Sequence, residues 1–383
     1  MIQPISPSPQ TWLTRLPLRR IITSNRFIPE VDGFRFIAIF VVILAHIYGQ
    51  CGPLPGHGAI SRAIPYLVAD GTRGVYLFFT ISGFILALPF ARQHLQAGSV
   101  VNLRSYFRRR ITRLEPPYVL VMLLRFPLLF TFKYGAGTHL FSHLLASLFY
   151  VHSLVYGSAS IINPPAWSLE VEIQFYLLTP LLTGFFLIRD KRLRRAVLIG
   201  SILVAGVTSI LFIHPGSRVS LSLLNYLQYF LAGFLLCDLY LAGDRLSLPA
   251  WSWDAIGVTS LLWILVNRAV WFPAALPFAA LALYLAGFHG YVVRAFFRFS
   301  PVSLIGGMCY SLYLTHSTVI AGMHPLVTWL KHSALPGNFL LLLILGLCCL
   351  ATLFFGVIFF LLIERPCMNP SWPHELAVWM RRI

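Results

Sequence analysis

Long apolar stretches recur along almost the whole chain, and they constrain its fold more than any other feature. A helix needs roughly 20 mostly apolar residues to cross the hydrocarbon core of a bilayer. Ten stretches approach that length: 33–50, 71–91, 115–132, 167–188, 196–213, 219–242, 252–267, 271–289, 302–320 and 338–363. Only 11% of the 383 residues are charged, against about 25% in soluble domains. The sequence therefore predicts an all-α, polytopic membrane protein with about ten transmembrane helices.

The basic residues lie in short clusters between the apolar stretches, which argues against a nucleic-acid partner despite the net charge of +17. Lysine and arginine accumulate in the cytoplasmic loops of membrane proteins. With ten spans and cytoplasmic N- and C-termini, the inside segments hold 21 of these residues and the outside segments hold 6. The predicted organisation is a basic cytoplasmic segment at 1–32, a transmembrane domain at 33–366 and a short cytoplasmic tail at 367–383.

The stretch 138–157 is apolar enough to be an eleventh span, but the charge pattern opposes it. Counting it as a crossing would move the 11 basic residues of the last four inside segments to the outside. It also carries His139, His143 and His152, which suit an interfacial helix better than a span. We therefore expect this stretch to lie along the outer surface or to re-enter the membrane.

Four ionisable side chains lie within the predicted spans, although such groups are costly inside a membrane and usually face a cavity or a partner. Arg35 and His46 lie on one face of the first span, roughly 16 Å apart along the helix axis. The predicted topology places His46, Glu172 and His316 at similar depth in the outer half of the membrane. Titratable groups that share one layer indicate a site. The alternatives are a snorkelling Arg35, an interfacial Glu172 and histidines that make ordinary packed hydrogen bonds.

An arginine-rich segment precedes the third span. On a helix, Arg109 and Arg113 would share one face, with Arg110 beside them. Guanidinium groups bind phosphate bidentately, so this cluster is suited to a phosphorylated ligand. The alternatives are topology signalling and the binding of anionic lipids.

Six short motifs follow one another along the chain. They are DGFR at 32–35 with His46, GVYLFFTISGF at 74–84, RRITR at 109–113, WSLEVEIQFY at 167–176, YSLYLTH at 310–316 and IERP at 363–366. In sequence and order they resemble the motifs of the acyltransferase-3 family of integral membrane O-acyltransferases. Each motif alone is weak, but six in the right order are specific.

The resemblance implies an acyltransferase that transfers groups other than amino-acyl groups. Its co-substrate would be acyl-CoA, often acetyl-CoA, and its acceptor a hydroxyl of a sugar or glycosylated molecule, so that it would act in carbohydrate modification by O-acetylation. The family also implies a bacterial cytoplasmic membrane. The six cysteines are scattered and form no Cys-x-x-Cys pair, so no metal site is predicted.

Within this hypothesis the nucleotide of coenzyme A stays inside, because it is too polar to cross the membrane. It would bind Arg109, Arg110 and Arg113, and its flexible arm would reach up between the helices. Arg35 is a further candidate to contact the pantetheine or the phosphates. The thioester would then meet His46, where an acceptor from outside can approach.

His46 is the predicted general base, which takes the proton of the attacking hydroxyl. A relay through acyl-histidine is the open alternative. Glu172 would orient His46 and stabilise its imidazolium form, as a triad carboxylate does. Further candidates to hold the thioester carbonyl or the acceptor are Ser82, Trp167, Tyr313 and His316.

Two other functions compete with this hypothesis. A transporter or flippase of saccharides or lipid-linked intermediates would explain the spans and the buried charges, but it predicts broken helices and two similar halves. A transmembrane acyl carrier would leave the final transfer to a partner protein. Acyl-CoA hydrolysis or transfer by the purified protein would favour an enzyme.

Overall fold

The computed structural model describes residues 18–21, 27–52, 67, 70–134, 139–214, 216–243, 248–369 and 372. Every regular element within these ranges is a helix, as the apolar stretches predicted. Most of the predicted basic segment 1–32 and of the predicted tail 367–383 lies outside the described residues.

The helices are labelled in chain order. They are α1 (Pro29–Cys51), α2 (Thr72–Leu95), α3 (Leu103–Leu129), α4 (Leu140–Leu148), α5 (His152–Tyr156), α6 (Trp167–Leu182), α7 (Lys191–Phe212), α8 (Leu223–Ala242), α9 (Ala250–Val266), α10 (Phe272–His289), α11 (Val292–Arg298), α12 (Ser300–Gly307), α13 (Cys309–Lys331), α14 (Gly337–Phe359) and α15 (Arg365–Cys367). Short π-helical turns extend α3 and α14, and 3₁₀ turns flank α6 at Pro164–Ala166 and Thr183–Leu187.

Seven helices in the described part of the chain are long and apolar enough to cross a bilayer: α1, α2, α3, α7, α8, α10 and α14. They correspond to seven of the ten predicted stretches and identify an integral membrane protein. The other three stretches, 167–188, 252–267 and 302–320, are helical as well, in α6, α9 and α12–α13. They fall short in length or in apolar content, so the count of ten spans stays a prediction.

The stretch 138–157 does not form one long helix. It folds into α4 with nine residues and α5 with five, and Tyr150 between them has a φ of 57°. At 1.5 Å per residue, neither helix can span a hydrocarbon core of about 30 Å. The large apolar side chains Phe141 and Leu145 of α4 are exposed. This short, broken geometry agrees with a segment that does not cross the membrane.

Close contact between α2 and α8 forms the centre of the bundle. A Cβ atom at Gly83 would collide with the carbonyl of Phe230, and one at Gly233 would collide with the carbonyl of Thr80. Small residues let membrane helices approach closely and gain packing contacts. The rings of Phe79 and Phe230 stack beside this crossing, with centroids 4.7 Å apart. The two glycines therefore fix how deeply α2, which carries Ser82, sits in the bundle.

The first helix packs against α2, α12 and α13. Gly306 of α12 lies against the carbonyl of Asp32, where a side chain would not fit. Near the start of α1, buried Glu30 pairs with Arg294 at 3.2 Å and Arg298 at 3.8 Å. These contacts hold α1, with Arg35 and His46, next to the helices that carry the other candidate residues.

Two cavities as the candidate active site

Two cavities lie among α1, α2, α3, α6 and α13, and Tyr313 lines both of them. We call the first, of about 320 Å³, the arginine cavity, and the second, of about 370 Å³, the histidine cavity. From the predicted set, the arginine cavity is lined by Arg35, Ser82, Arg109, Arg110, Arg113, Glu172 and Tyr313. The histidine cavity is lined by His46, Trp167 and Tyr313. The predicted residues thus fall into two adjoining groups.

The three predicted arginines occupy one wall of the arginine cavity, near the start of α3. Arg110 donates to the carbonyl of Tyr106 at 2.9 Å, and its guanidinium carbon lies 3.7 Å from the centroid of the Tyr106 ring. Its other aromatic neighbour is Tyr176, 5.5 Å away. Arg109, in contrast, is exposed. The cavity therefore has one arginine fixed in its wall and one that is accessible from solvent.

Glu364 connects three of the sequence motifs. Its Oε1 atom lies 3.5 Å from Nη2 of Arg113, and its side chain is fully buried. The other oxygen of Glu364 accepts hydrogen bonds from the backbone N–H of Ser311 at 3.0 Å and from its hydroxyl at 2.5 Å. Breaking such a buried pair leaves an uncompensated charge. The motif at 363–366 thus anchors both the arginine segment and α13, a role that its sequence alone did not reveal.

Arg35 reaches the arginine cavity from α1, but it is already paired. Its Nη1 atom lies 2.8 Å from Oδ1 of Asp32, and Nε of Arg20 lies 2.9 Å from Oδ2 of the same carboxylate. Asp32 is buried, so two cations offset one desolvated anion. The guanidinium is therefore not snorkelling, and it adds positive charge to the cavity wall.

Glu172 lies in the arginine cavity, and the expected contact with His46 is not formed. Its Oε1 atom accepts hydrogen bonds from the hydroxyls of Ser82 and Tyr176, each at 2.6 Å. The position of Glu172 along its helix suggested that it belongs to a site, but it did not specify the direction of the side chain around the helix axis. Glu172 thus orients Ser82 and Tyr176 rather than His46.

His46 is half-buried near the end of α1 and faces the histidine cavity. Its Nδ1 atom lies 2.8 Å from the carbonyl oxygen of Val42. Since a carbonyl only accepts, Nδ1 carries the proton of the neutral ring and Nε2 keeps its lone pair. This tautomer is the one that a base or a nucleophile acting through Nε2 requires.

His316 packs against His46, as the shared depth suggested. The ring centroids are 4.6 Å apart with a T-shaped arrangement. Nδ1 of His316 lies 2.7 Å from the carbonyl of Tyr313, so its Nε2 also keeps a lone pair. That atom is buried and has no hydrogen-bond partner among the described residues. The structure brings the two histidines together, although His316 lines neither cavity.

The side chains between the two cavities are locked by hydrogen bonds. The hydroxyl of Tyr313 donates to the carbonyl of Pro165, and it lies 2.6 Å from the hydroxyl of Ser168. The ring of Trp167 packs against Tyr226 on the other side, with centroids 5.3 Å apart. Ser168 and Pro165 therefore fix the side chain of Tyr313, which lies in the walls of both cavities.

The histidine cavity is also lined by Gln50 and Asp70, which were not among the predicted site residues. Both flank predicted spans, where polar residues are common and carry little information. The sequence feature that could have identified Asp70 as a site residue is its position directly before the second span, beside Gly71-Thr72. No three histidine, cysteine, aspartate or glutamate side chains cluster as metal ligands would in the described ranges.

Comparisons with known proteins show to which family the sequence is similar. Residues 28–362 match the family model described as an acyltransferase domain. The chain is 27% identical over 327 residues to the O-acetyltransferase OatA of Staphylococcus aureus strain NCTC 8325 / PS 47, and the same values apply to OatA of strains COL and MRSA252. These alignments cover 78% of this chain and 51% of each relative, so the chain spans about half the length of those curated relatives. No solved structure matches the chain.

Proposed function

Because this chain belongs to the acyltransferase-3 family, whose model covers residues 28–362, we propose that it transfers an acyl group from acyl-CoA to a hydroxyl of a sugar or glycosylated acceptor. Acetyl is the proposed group, since the relatives are named O-acetyltransferases. One observation carries the proposal: Tyr313 lines both the arginine cavity and the histidine cavity. A donor and an acceptor can therefore be bound apart and still meet at one place.

The arginine cavity suits the donor. Ligand pockets of about 300–1,000 Å³ are usual for small molecules, and this cavity, at about 320 Å³, has room for a slender arm rather than a whole nucleotide. The nucleotide would remain at the mouth on exposed Arg109, with Arg110 and Arg113 beside it. The hydroxyl of Ser82 donates to Glu172, so its oxygen can accept a hydrogen bond from an amide of the arm.

His46 is the proposed catalytic residue. Its Nε2 lone pair takes the proton of the acceptor hydroxyl while that oxygen attacks the thioester carbon. The carbon–sulfur bond then breaks, and the proton passes to the leaving sulfur. Direct attack by Nε2 on the thioester, with the acyl group passed on to the acceptor afterwards, uses the same lone pair. These two routes are distinguished by incubating the enzyme with labelled acetyl-CoA in the absence of an acceptor. Label that stays on the enzyme indicates the acyl-histidine route.

The proposal is tested with purified protein in detergent, radiolabelled acetyl-CoA and a set of methyl glycosides. The readouts are released coenzyme A and labelled product. We expect His46→Ala to lose transfer by about 10²–10⁴-fold, the usual contribution of a general base, while the protein still accumulates. His324→Ala is the matched control, because His324 is exposed and outside both cavities. Transfer by His46→Ala at the control rate would overturn the proposal, and glycoside flux without thioester cleavage would favour a transporter.

A further inference from the structure

We propose that Asp70 and Gln50 recognise a second hydroxyl of the acceptor in the histidine cavity, so that the enzyme requires a polyhydroxylated ring rather than a simple alcohol. This inference rests on the proposed function and deepens it. The histidine cavity holds the proposed base together with one carboxylate and one carboxamide, Asp70 and Gln50, neither of which the acyl-transfer chemistry uses.

Asp70 is held close to His46 by the segment that begins α2. A Cβ atom placed on Gly71 would lie 3.0 Å from Cβ of Ala45 and 3.7 Å from both Cε1 and Nδ1 of His46. The backbone next to Asp70 therefore packs directly on the imidazole ring. Among the carboxylates proposed or found near the site, Asp70 shares the cavity of His46, whereas Glu172 lies in the arginine cavity.

The carboxylate of Asp70 is fixed in place but not saturated. Oδ1 accepts from the backbone N–H of Thr72 at 3.0 Å and from its hydroxyl, and Oδ2 lies 3.3 Å from Nε of Arg73. Arg268 approaches the same oxygen at 3.9 Å. The side chain of Asp70 is still 36% exposed, so lone pairs remain for a ligand. An ionised carboxylate only accepts hydrogen bonds, so its natural ligand partner here is a hydroxyl donor.

Gln50 complements this acceptor. Its Nε2 atom donates to the hydroxyl of Ser317 at 3.2 Å, which uses one of its two N–H groups. The amide keeps a second donor and a carbonyl acceptor. A hydroxyl group can both donate and accept, so it can bind between Asp70 and Gln50 as a simple apolar substituent cannot. The two side chains together therefore match hydroxyls of one molecule, beyond the hydroxyl that reacts at His46.

The remaining wall suits the face of a ring. Trp167, Pro165, Val42 and Val75 supply apolar surface to the lining of the histidine cavity. At about 370 Å³ the cavity is larger than a short alcohol needs. Pockets that combine apolar walls with a few placed polar groups use the polar groups to fix orientation. A sugar ring has both an apolar face and several hydroxyls, and it is the ligand class we assign to this cavity.

The first test needs no variant of the protein. Wild-type enzyme receives labelled acetyl-CoA with methyl glucopyranoside, methyl galactopyranoside or methyl mannopyranoside, with their monodeoxy analogues, or with cyclohexanol. We expect one hydroxyl, not itself acylated, whose removal lowers kcat/KM by about tenfold to a hundredfold, because a hydrogen bond to a charged group is then lost. Cyclohexanol should be a poor acceptor. Equal kcat/KM for parent and deoxy acceptors, or for cyclohexanol, would overturn the inference.

The second test assigns that penalty to the two side chains. The two variants are Asp70→Asn, which keeps the oxygen that caps Thr72, and Gln50→Leu. In both, the loss of kcat/KM on removing the hydroxyl should shrink to about twofold or less. The KM for the acceptor should rise more than the KM for acetyl-CoA. Asp190→Asn is the matched control, since Asp190 is exposed and caps α7 through Leu193. An unchanged penalty in both variants would overturn the inference.

The outcomes distinguish this inference from the function on which it rests. If the wild type releases no coenzyme A in a His46-dependent way, the proposed function fails. If it does release coenzyme A but acylates no pyranoside in the set, the ligand class assigned to the histidine cavity is wrong and the donor chemistry stands.

Discussion

At the scale of single residues, His46 lines the histidine cavity and Glu172 lines the arginine cavity. In the proposed reaction the two side chains therefore serve different substrates, although the sequence predicted both of them in one layer. Spacing along a helix reveals depth, because each residue adds a fixed rise of about 1.5 Å. It does not reveal direction in a helix that is apolar on every side. Asp70 was not predicted because it lies just before the second apolar stretch, and outside the arginine segment only ionisable residues within the stretches were considered as site candidates.

Glu172→Gln tests the assignment of this carboxylate to the donor side. The oxygen that accepts from Ser82 and Tyr176 can be kept, but the hydrogen bonds lose their charge assistance. Hydrogen bonds to charged groups are worth about 1 kcal/mol more than neutral ones, so we expect the KM for acetyl-CoA to rise about fivefold. Steady-state kinetics with varied donor and varied acceptor measure this.

The control for that variant is Glu115→Gln, because Glu115 lies outside both cavities. It should leave both KM values within about twofold, as is usual for changes that remove no binding contact. If Glu172→Gln instead lowers kcat by orders of magnitude with an unchanged donor KM, then Glu172 acts on His46 after all.

At the scale of elements, the arginine segment of α3 offers a matched pair of variants. Arg108 and Arg109 are adjacent and exposed, but only Arg109 lines the arginine cavity. We expect Arg109→Gln to raise the KM for acetyl-CoA about tenfold, the usual cost of one lost contact with a charged group. Arg108→Gln should change it by less than about twofold.

Both variants remove one positive charge from the same segment, so they affect topology signalling equally. If the two variants raise the KM for acetyl-CoA equally, or if both proteins have an altered membrane orientation, the cluster sets topology and does not bind the donor. Dephosphorylated coenzyme A derivatives give an independent check, since the difference between the variants should decrease with them.

The short helices α4 and α5 are joined by a hydrogen-bonded pair of histidines. Nδ1 of His143 lies 2.8 Å from Nε2 of His152, and Nδ1 of His152 lies 3.1 Å from the carbonyl of Ser158. Burial lowers the pKa of both His143 and His152 below the usual value of about 6.5. The pair is therefore neutral in the folded segment, with one ring donating to the other.

Acidification should loosen this segment. Below a pH of about 6.5 the unfolded histidines bind protons that the folded pair does not, so the free energy of unfolding falls as the pH falls. Hydrogen exchange in residues 140–156, corrected for intrinsic rates, should be faster at pH 5.5 than at pH 7.5. His152→Gln should reduce that difference. Equal protection at both pH values would show that the pair does not stabilise the segment.

At the scale of the whole molecule, the sequence predicted the helical class and the apolar stretches, and it predicted that 138–157 does not cross the membrane. These features depend on local composition and length, which a sequence contains directly. The packing of α2 on α8 through Gly83 and Gly233 and the anchoring of Arg113 by Glu364 depend on contacts far apart in the chain. No periodicity within a single stretch encodes such pairs, so the division into two cavities could not be predicted.

The predicted topology is tested with single cysteines in a background that lacks the six native ones. Ser99 and Ser158 are exposed positions on either side of α3 to α5. If α4 and α5 do not cross the membrane, an impermeant maleimide should label Ser158→Cys in intact cells and Ser99→Cys only after permeabilisation. Labelling of both positions from the same side would contradict the predicted arrangement.

Acyl transfer between two cavities, with the donor inside and the acceptor outside, is tested most directly in proteoliposomes of known orientation. Labelled acetyl-CoA is enclosed in proteoliposomes in which the arginine segment faces the lumen. An impermeant methyl glycoside is then added to the outside. We expect labelled glycoside to appear outside with wild-type protein and with His324→Ala, and to be absent with His46→Ala. Product formed only when donor and acceptor share one compartment, or formed equally by His46→Ala, would contradict transfer at His46 between two separately accessible cavities.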